Sequence, residues 1–237
     1  MINSSLIKLF SRPIAHRGLW GNGVTENTIK AFSLAIENGF NIETDVFLSK
    51  DGELFCCHDN NLSRLAGLND LITNKTSKEI KEINLINGGK IPTLKELLEL
   101  TKGKVFLLIE IKNQKNRRVV DKTIELLKTY GGEFAIQSFN PFFLKRVKNL
   151  APNFLRGILS DNAPDTKNLI EKFVVKSMAF NFLCRPHFIS YNFKGLNNKK
   201  LTQKNLPVIA WTITNKKEEI LARKRAKNII FEGYISN

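Results

Sequence analysis

The sequence predicts an α/β fold: a (β/α)8 barrel with a short insertion after the third strand. Three observations carry this reading. Short apolar runs alternate with amphipathic helical segments along the chain. Several of those runs are nearly continuous in apolar residues, as strands covered on both faces must be. The length of 237 residues suits one large domain, spanning 1–237, with no linker, low-complexity tract or internal repeat to divide it.

In chain order, RPIAH (12–16) reads as the first strand, NIETDVFL (41–48) as the second and ELFCCH (53–58) as the third. VFLLIEI (105–111), EFAIQSF (133–139), RGILS (156–160), SMAFNF (177–182), LPVIAWTI (206–213) and NIIFEGY (228–234) follow. That makes nine candidates for eight barrel positions, so one must lie outside the barrel. Helices with readable ends fall between them. Asn27-Thr28 opens one that runs to Gly39, Thr93 with Glu96 forms a capping box, and Asn140-Pro141 starts another with proline at its first position. The longest departure from alternation is the polar stretch 59–91.

Composition narrows the function classes. No apolar run approaches the roughly 20 residues needed to cross a bilayer. The opening MINSSLIKLFSRP has no long apolar h-region, so no signal peptide is expected. Three cysteines, two of them adjacent, make no disulfide framework and point to a reducing cytoplasm. The net charge of +15 favours anionic partners, although lysine bias at solvated positions explains much of it. Aromatics are not interleaved with the basic residues, so nucleic acid is not expected, and peripheral contact with an anionic membrane stays open. The sequence assigns no oligomeric state.

Chemistry is expected at the C-terminal rim of the strands. The first strand ends in His16-Arg17-Gly18, and the third ends in His58-Asp59. Glu43 and Asp45, then Glu110 and Lys112, are each spaced i, i+2 and so share a face. Three carboxylates suit one hard divalent cation, Mg²⁺ or Ca²⁺. Arg17 and Lys112 suit a phosphate, and two histidines suit paired acid and base roles. Each residue alone has an ordinary structural explanation; their coincidence at consecutive strand ends favours a joint site. Cys56 and Cys57, just before His58, fall on opposite strand faces, cannot chelate one ion together and read as small apolar fillers. His187, away from these strands, reads as structural.

Taken in order, HRG (16–18), TENT (25–28), IETDV (42–46), HD (58–59), IPTLKELL (91–98), IEIK (109–112), QSF (137–139) and AWTIT (210–214) resemble the glycerophosphodiester phosphodiesterase family. The resemblance runs from residue 12 to the end and implies a TIM barrel whose small insertion is the 59–91 stretch. It implies Glu43, Asp45 and Glu110 as ligands of one divalent cation, and His16 and His58 as general acid and base. It places Arg17 and Lys112 on the phosphate, with Glu26 beside them orienting Arg17 or a histidine. Trp211 falls either over the glycerol or in strand packing. The implied reaction turns a small glycerophosphodiester into sn-glycerol 3-phosphate and an alcohol. Thr25 stands where the family usually has proline, and the ending IIFEGYISN lacks the usual aspartate. Alternatives are lysophospholipase D-like cleavage of a lipid phosphodiester, or a basic protein that binds anionic membrane or nucleic acid without catalysis.

Overall fold

The computed structural model describes residues 2–161, 180–197, 201 and 205–236. Nine strands are present among them: β1 (Ile14–His16), β2 (Asn41–Leu48), β3 (Leu54–Cys56), β4 (Leu107–Ile111), β5 (Phe134–Ser138), β6 (Arg156–Ser160), β7 (Phe188–Asn192), β8 (Val208–Ile213) and β9 (Asn228–Phe231). Their order, β1-β9-β8-β7-β6-β5-β4-β2-β3 with a further β1–β2 pairing, is that of a (β/α)8 barrel in which β3 is the supernumerary strand. The strand outside the barrel is therefore the one read as its third. β3 pairs antiparallel with β2, Val46 opposite Cys56 and Leu48 opposite Leu54. The physical reason is loop length. Residues 49–53 suffice for a hairpin, whereas a parallel return needs a dozen residues or more. Gly52 takes φ 95° in that turn.

Contacts group the chain into two compact units, Ala15–Phe134 and Met1–Ile14 with Ala135–Asn237. Within the first, β2 and β4 run parallel with Asp45 beside Glu110 and Glu43 beside Leu108. Both strands are buried along their whole length. Helix Ile29–Glu37 starts at Thr28, whose hydroxyl accepts from the Ala31 backbone N–H, and it buries Ala31, Phe32 and Ala35. Helix Leu94–Thr101 carries the expected capping box between Thr93 and Glu96. The polar stretch 59–91 folds over β2 and β3: Leu62, Leu65, Ile72, Ile80, Ile83, Leu85 and Ile91 pack with Phe47, Phe55 and Cys57. Apolar residues spaced through a polar segment thus give it a small core of its own.

In the second unit, β5 to β9 run parallel to their neighbours. Helix Pro141–Leu150 begins at Asn140, whose side chain accepts from Phe142 and Phe143 N–H. The strand expected at 177–182 is not borne out in its described part. Residues 177–179 lie outside the described residues, and Asn181–Cys184 forms a short helix. Short apolar runs do not distinguish a strand from a buried helical turn. The strand in that part of the chain is instead β7, whose Ser190 is buried and donates to Gln137 Oε1 at 2.7 Å. His187 Nδ1 accepts from the Arg156 backbone N–H at 3.2 Å, so this histidine is a structural acceptor. Trp211 packs edge-on against Phe139. The atypical C-terminus closes on helix Lys216–Arg223, with Tyr234 Oη and Ser236 Oγ donating to the buried Glu219.

Candidate active site

The turn after β1 is shaped by backbone conformation. Arg17 and Gly18 both take left-handed angles, φ 60° and 79°. Gly18 has no alternative: a Cβ there would lie 2.7 Å from the Ala31 carbonyl carbon and 2.8 Å from its oxygen. The chain can then lie against helix Ile29–Glu37, with Leu19 N–H donating to the Ala31 carbonyl at 2.9 Å. The same turn aims the Arg17 backbone N–H at Glu43 Oε2, 3.2 Å away. Asn27, also left-handed at φ 53°, donates through Nδ2 to Asp45 Oδ2 at 3.2 Å and accepts from Thr44 at 2.8 Å. Asn27, read from sequence only as part of a helix start, is thereby a support for Asp45.

The in-register β2–β4 pair brings Glu43, Asp45 and Glu110 together. One carboxylate oxygen from each lies within 4.8 Å of the others, and all three side chains are buried. Lys112 Nζ reaches Glu110 at 3.0 Å and Asp45 Oδ1 at 3.3 Å, and Arg17 Nε lies 3.5 Å from Asp45 Oδ2. Burial, with Asp45 and Glu110 alongside, drives Glu43 well above the usual carboxylate range. Burial opposes the charge on Asp45 as well, but Lys112, His58 and Arg17 outweigh it and hold this carboxyl low. Asp45 Oδ1 is buried with no hydrogen-bond partner. Three converging buried carboxylates, with Asp45 Oδ1 beside Lys112 yet without a hydrogen bond, suit a divalent cation.

The two histidines flank this cluster by different routes. His16 ends β1, and its Nε2 lies 3.9 Å from Glu43 Oε2. His58 arrives on the antiparallel return, just after Cys57, whose N–H donates to the Asp45 carbonyl at 3.0 Å. His58 Nδ1 lies 2.6 Å from Asp59 Oδ1. Burial resists the charge on Asp59, yet His58 and Arg64 hold it below its ordinary value. The Asp59 carboxylate is therefore an acceptor, so the shared proton sits on His58 Nδ1 and Nε2 carries the lone pair. Burial lowers the His58 pKa, favouring the neutral ring.

Beyond this ring stands Arg64, which the sequence reading missed. Glu26 is buried between two guanidinium groups: Arg17 donates to Oε1 at 2.8 Å, and Arg64 donates to Oε1 at 2.7 Å and Oε2 at 2.9 Å. Arg64 Nε also donates to Asp59 Oδ2. Glu26 thus binds the Arg17 guanidinium and shares Arg64 with Asp59. Cys56 and Cys57 are both buried and free. Burial raises both thiol pKa values, that of Cys57 to about 12, so at neutral pH they are uncharged packing groups. Among the described residues no helix is long and apolar enough to cross a membrane.

Residues 16–236 match the Glycerophosphoryl diester phosphodiesterase family. A glycerophosphodiester phosphodiesterase of Caldanaerobacter subterraneus subsp. tengcongensis is 40% identical over 159 residues, covering 62% of this chain and 65% of that protein, just under two thirds of its length. YhdW of Bacillus subtilis is 30% identical over 229 residues, 86% of each chain. Among solved structures, an Oleispira antarctica phosphodiesterase in complex with the product sn-glycerol-3-phosphate superposes with TM-score 0.78 at 24% identity. It covers 95% of this chain and 94% of that one, which shows the same fold.

Proposed function

The chain belongs to the glycerophosphoryl diester phosphodiesterase family, whose members are phosphoric diester hydrolases, and from that premise we propose how this site works. The substrate is a small glycerophosphodiester, cleaved to sn-glycerol 3-phosphate and an alcohol. The observation that carries the proposal is the buried trio Glu43, Asp45 and Glu110, with the Asp45 oxygen that no hydrogen bond satisfies, set between two histidines and two cationic side chains. The product bound in the Oleispira antarctica relative supports the substrate class.

Glu43, Asp45 and Glu110 would hold one divalent cation, Mg²⁺ or Ca²⁺, which when bound supplies Lewis-acid stabilisation of charge on a phosphoryl oxygen. Arg17 and Lys112 bind and orient the phosphate. Arg17 meets Glu26 and Asp45 with two of its five guanidinium donors, and Lys112 meets Glu110 and Asp45 with two of its three ammonium donors, so each has donors left for a phosphate oxygen. His16 and His58 exchange protons with the attacking glycerol hydroxyl and the leaving alcohol, and then with the water that opens the resulting cyclic phosphate to sn-glycerol 3-phosphate. Asp59 keeps the His58 proton on Nδ1, so that Nε2 is the atom that moves a proton. Glu26 holds the Arg17 guanidinium in place.

The test is incubation of purified protein with glycerophosphocholine, glycerophosphoethanolamine and a lysophospholipid, with Mg²⁺, Ca²⁺ or EDTA. Metal-dependent release of glycerol 3-phosphate that disappears in His16→Ala is expected. Absence of glycerol 3-phosphate release from both glycerophosphodiesters with either metal, or release that survives His16→Ala, overturns the reading, and headgroup release from the lysophospholipid alone favours the lipid alternative.

A further inference from the structure

We propose that Arg64 is a positioning residue for this reaction, holding His58 through Asp59 and Arg17 through Glu26 at the same time. The proposal deepens the assignment of His58 and Arg17 given above and rests on it. Three of the guanidinium nitrogens are committed: Nε to Asp59, Nη1 and Nη2 to the two oxygens of Glu26. Each carboxylate in turn grips a reacting-site group, Asp59 the ring of His58 and Glu26 the guanidinium of Arg17. Glu26 is almost wholly buried, so its charge needs cationic donors on both sides, whereas Arg64 itself is half exposed and donates to both acids.

The fork geometry explains why arginine stands here. A planar guanidinium holds Glu26 with two donors and Asp59 with a third in one fixed fork, whereas a lysine ammonium is a point charge without that fork. The backbone of Arg64 is fixed by its neighbours, since Leu62 and Leu65 are members of the apolar cluster built by residues 59–91. That stretch therefore acts as a mount: its small core fixes Arg64, and Arg64 fixes two site residues that come from different elements. Glu26 lies 38 residues before Arg64 in sequence. A loosening of the mount reaches His58 and Arg17 together.

The experiment compares the full-length Arg64→Ala, Arg64→Lys, Asp59→Asn and Glu26→Gln proteins. Steady-state kinetics on glycerophosphocholine are expected to separate the arms: Asp59→Asn acts mainly on kcat and Glu26→Gln mainly on KM. Arg64→Ala moves both, each by about 10–100-fold, the scale of lost supporting contacts. Arg64→Lys recovers one arm and not both. Adding Arg64→Ala to Asp59→Asn costs less in kcat than it does in the wild type, because the shared path is already broken. An activity-independent readout is the ¹⁵N ring signals of His58. These report a proton on Nδ1 in the wild type and shift towards the mixed tautomers in Arg64→Ala and Asp59→Asn. Wild-type kcat and KM in Arg64→Ala overturn the proposal, as does activity lost only in proportion to unfolded protein with the His58 signals unchanged. If the wild type proves inactive on every phosphodiester, the functional reading fails. Unchanged His58 signals in Arg64→Ala then overturn the positioning role separately, and shifted ones support it.

Discussion

Gly18→Ala tests whether the turn after β1 is set by packing as well as by backbone angle. Alanine at φ 79° costs about 1–2 kcal/mol from the left-handed conformation alone. Its Cβ would also stand 2.7, 2.8 and 2.9 Å from the carbonyl carbon, carbonyl oxygen and Cβ of Ala31. Two of those atoms are helix backbone and cannot swing aside, so an overpacking cost of about 1–3 kcal/mol is added. The sum, about 2–5 kcal/mol, corresponds to a Tm lower by roughly 4–20 °C for a chain of this size. Gly52→Ala is the control. Its φ is 95° with nothing within 4 Å of the new Cβ, so it carries the backbone cost without the collision. Thermal unfolding of both variants, followed by far-UV circular dichroism, separates the two contributions. Because Arg17 N–H and Asn27 are placed by this turn, Gly18→Ala should also lose activity at temperatures where it remains folded. Equal Tm losses for Gly18→Ala and Gly52→Ala would refute the packing argument.

Two further outcomes are expected. Ca²⁺ or Mg²⁺ should raise the Tm of the wild type, by about 2.7 kcal/mol at a hundredfold excess over Kd, or roughly 5–11 °C. Asp45→Asn, which keeps an oxygen but loses the charge, should show no such shift in differential scanning fluorimetry. At the C-terminus, burial pushes Glu219 upward, but Arg223, Ser236 and Lys216 outweigh it and hold its pKa below the ordinary value of 4.5. A carboxyl depressed on folding contributes stability that is fully present above about pH 4.5 and is lost as pH falls through the folded value. Glu219→Gln should therefore cost about 1–3 kcal/mol at pH 7 in urea unfolding and progressively less below pH 4. A difference between wild type and variant that is the same at pH 7 and pH 3 would count against this clasp.

Local patterns were legible and long-range pairings were not. The i, i+2 spacing of Glu43 with Asp45, and of Glu110 with Lys112, predicts shared faces because strand parity is a property of the backbone alone. Caps at Thr28, Thr93 and Asn140 are likewise settled within four residues. The Asn27–Asp45 and Arg64–Glu26 bonds went unread because the partners are 18 and 38 residues apart, and no periodicity marks such a bond. β7 was missed since its buried Ser190 and its end at Asn192 look like a loop until Gln137 is beside it. The direction of β3 was readable after all: the loop of residues 49–53 is too short for a parallel crossover. The tail from Tyr234 to Ser236, unlike the family's usual ending, is explained only by its contact with Glu219.

The charge of the inner site is a reason to propose a metal there that does not depend on family likeness. Counted as ions, Glu43, Asp45 and Glu110 supply three negative charges, and Arg17 and Lys112 supply two positive ones. The set is negative by one, and Glu43 shows the consequence, since its proton is favoured by its carboxylate neighbours as well as by burial. With that proton in place the set is neutral and offers a phosphodiester monoanion no net attraction. A divalent cation displacing the Glu43 proton turns the set positive by one, which a phosphodiester then neutralises. The same three acids, costly to bury by themselves, would thus be the groups that make an anionic substrate welcome with a cation among them.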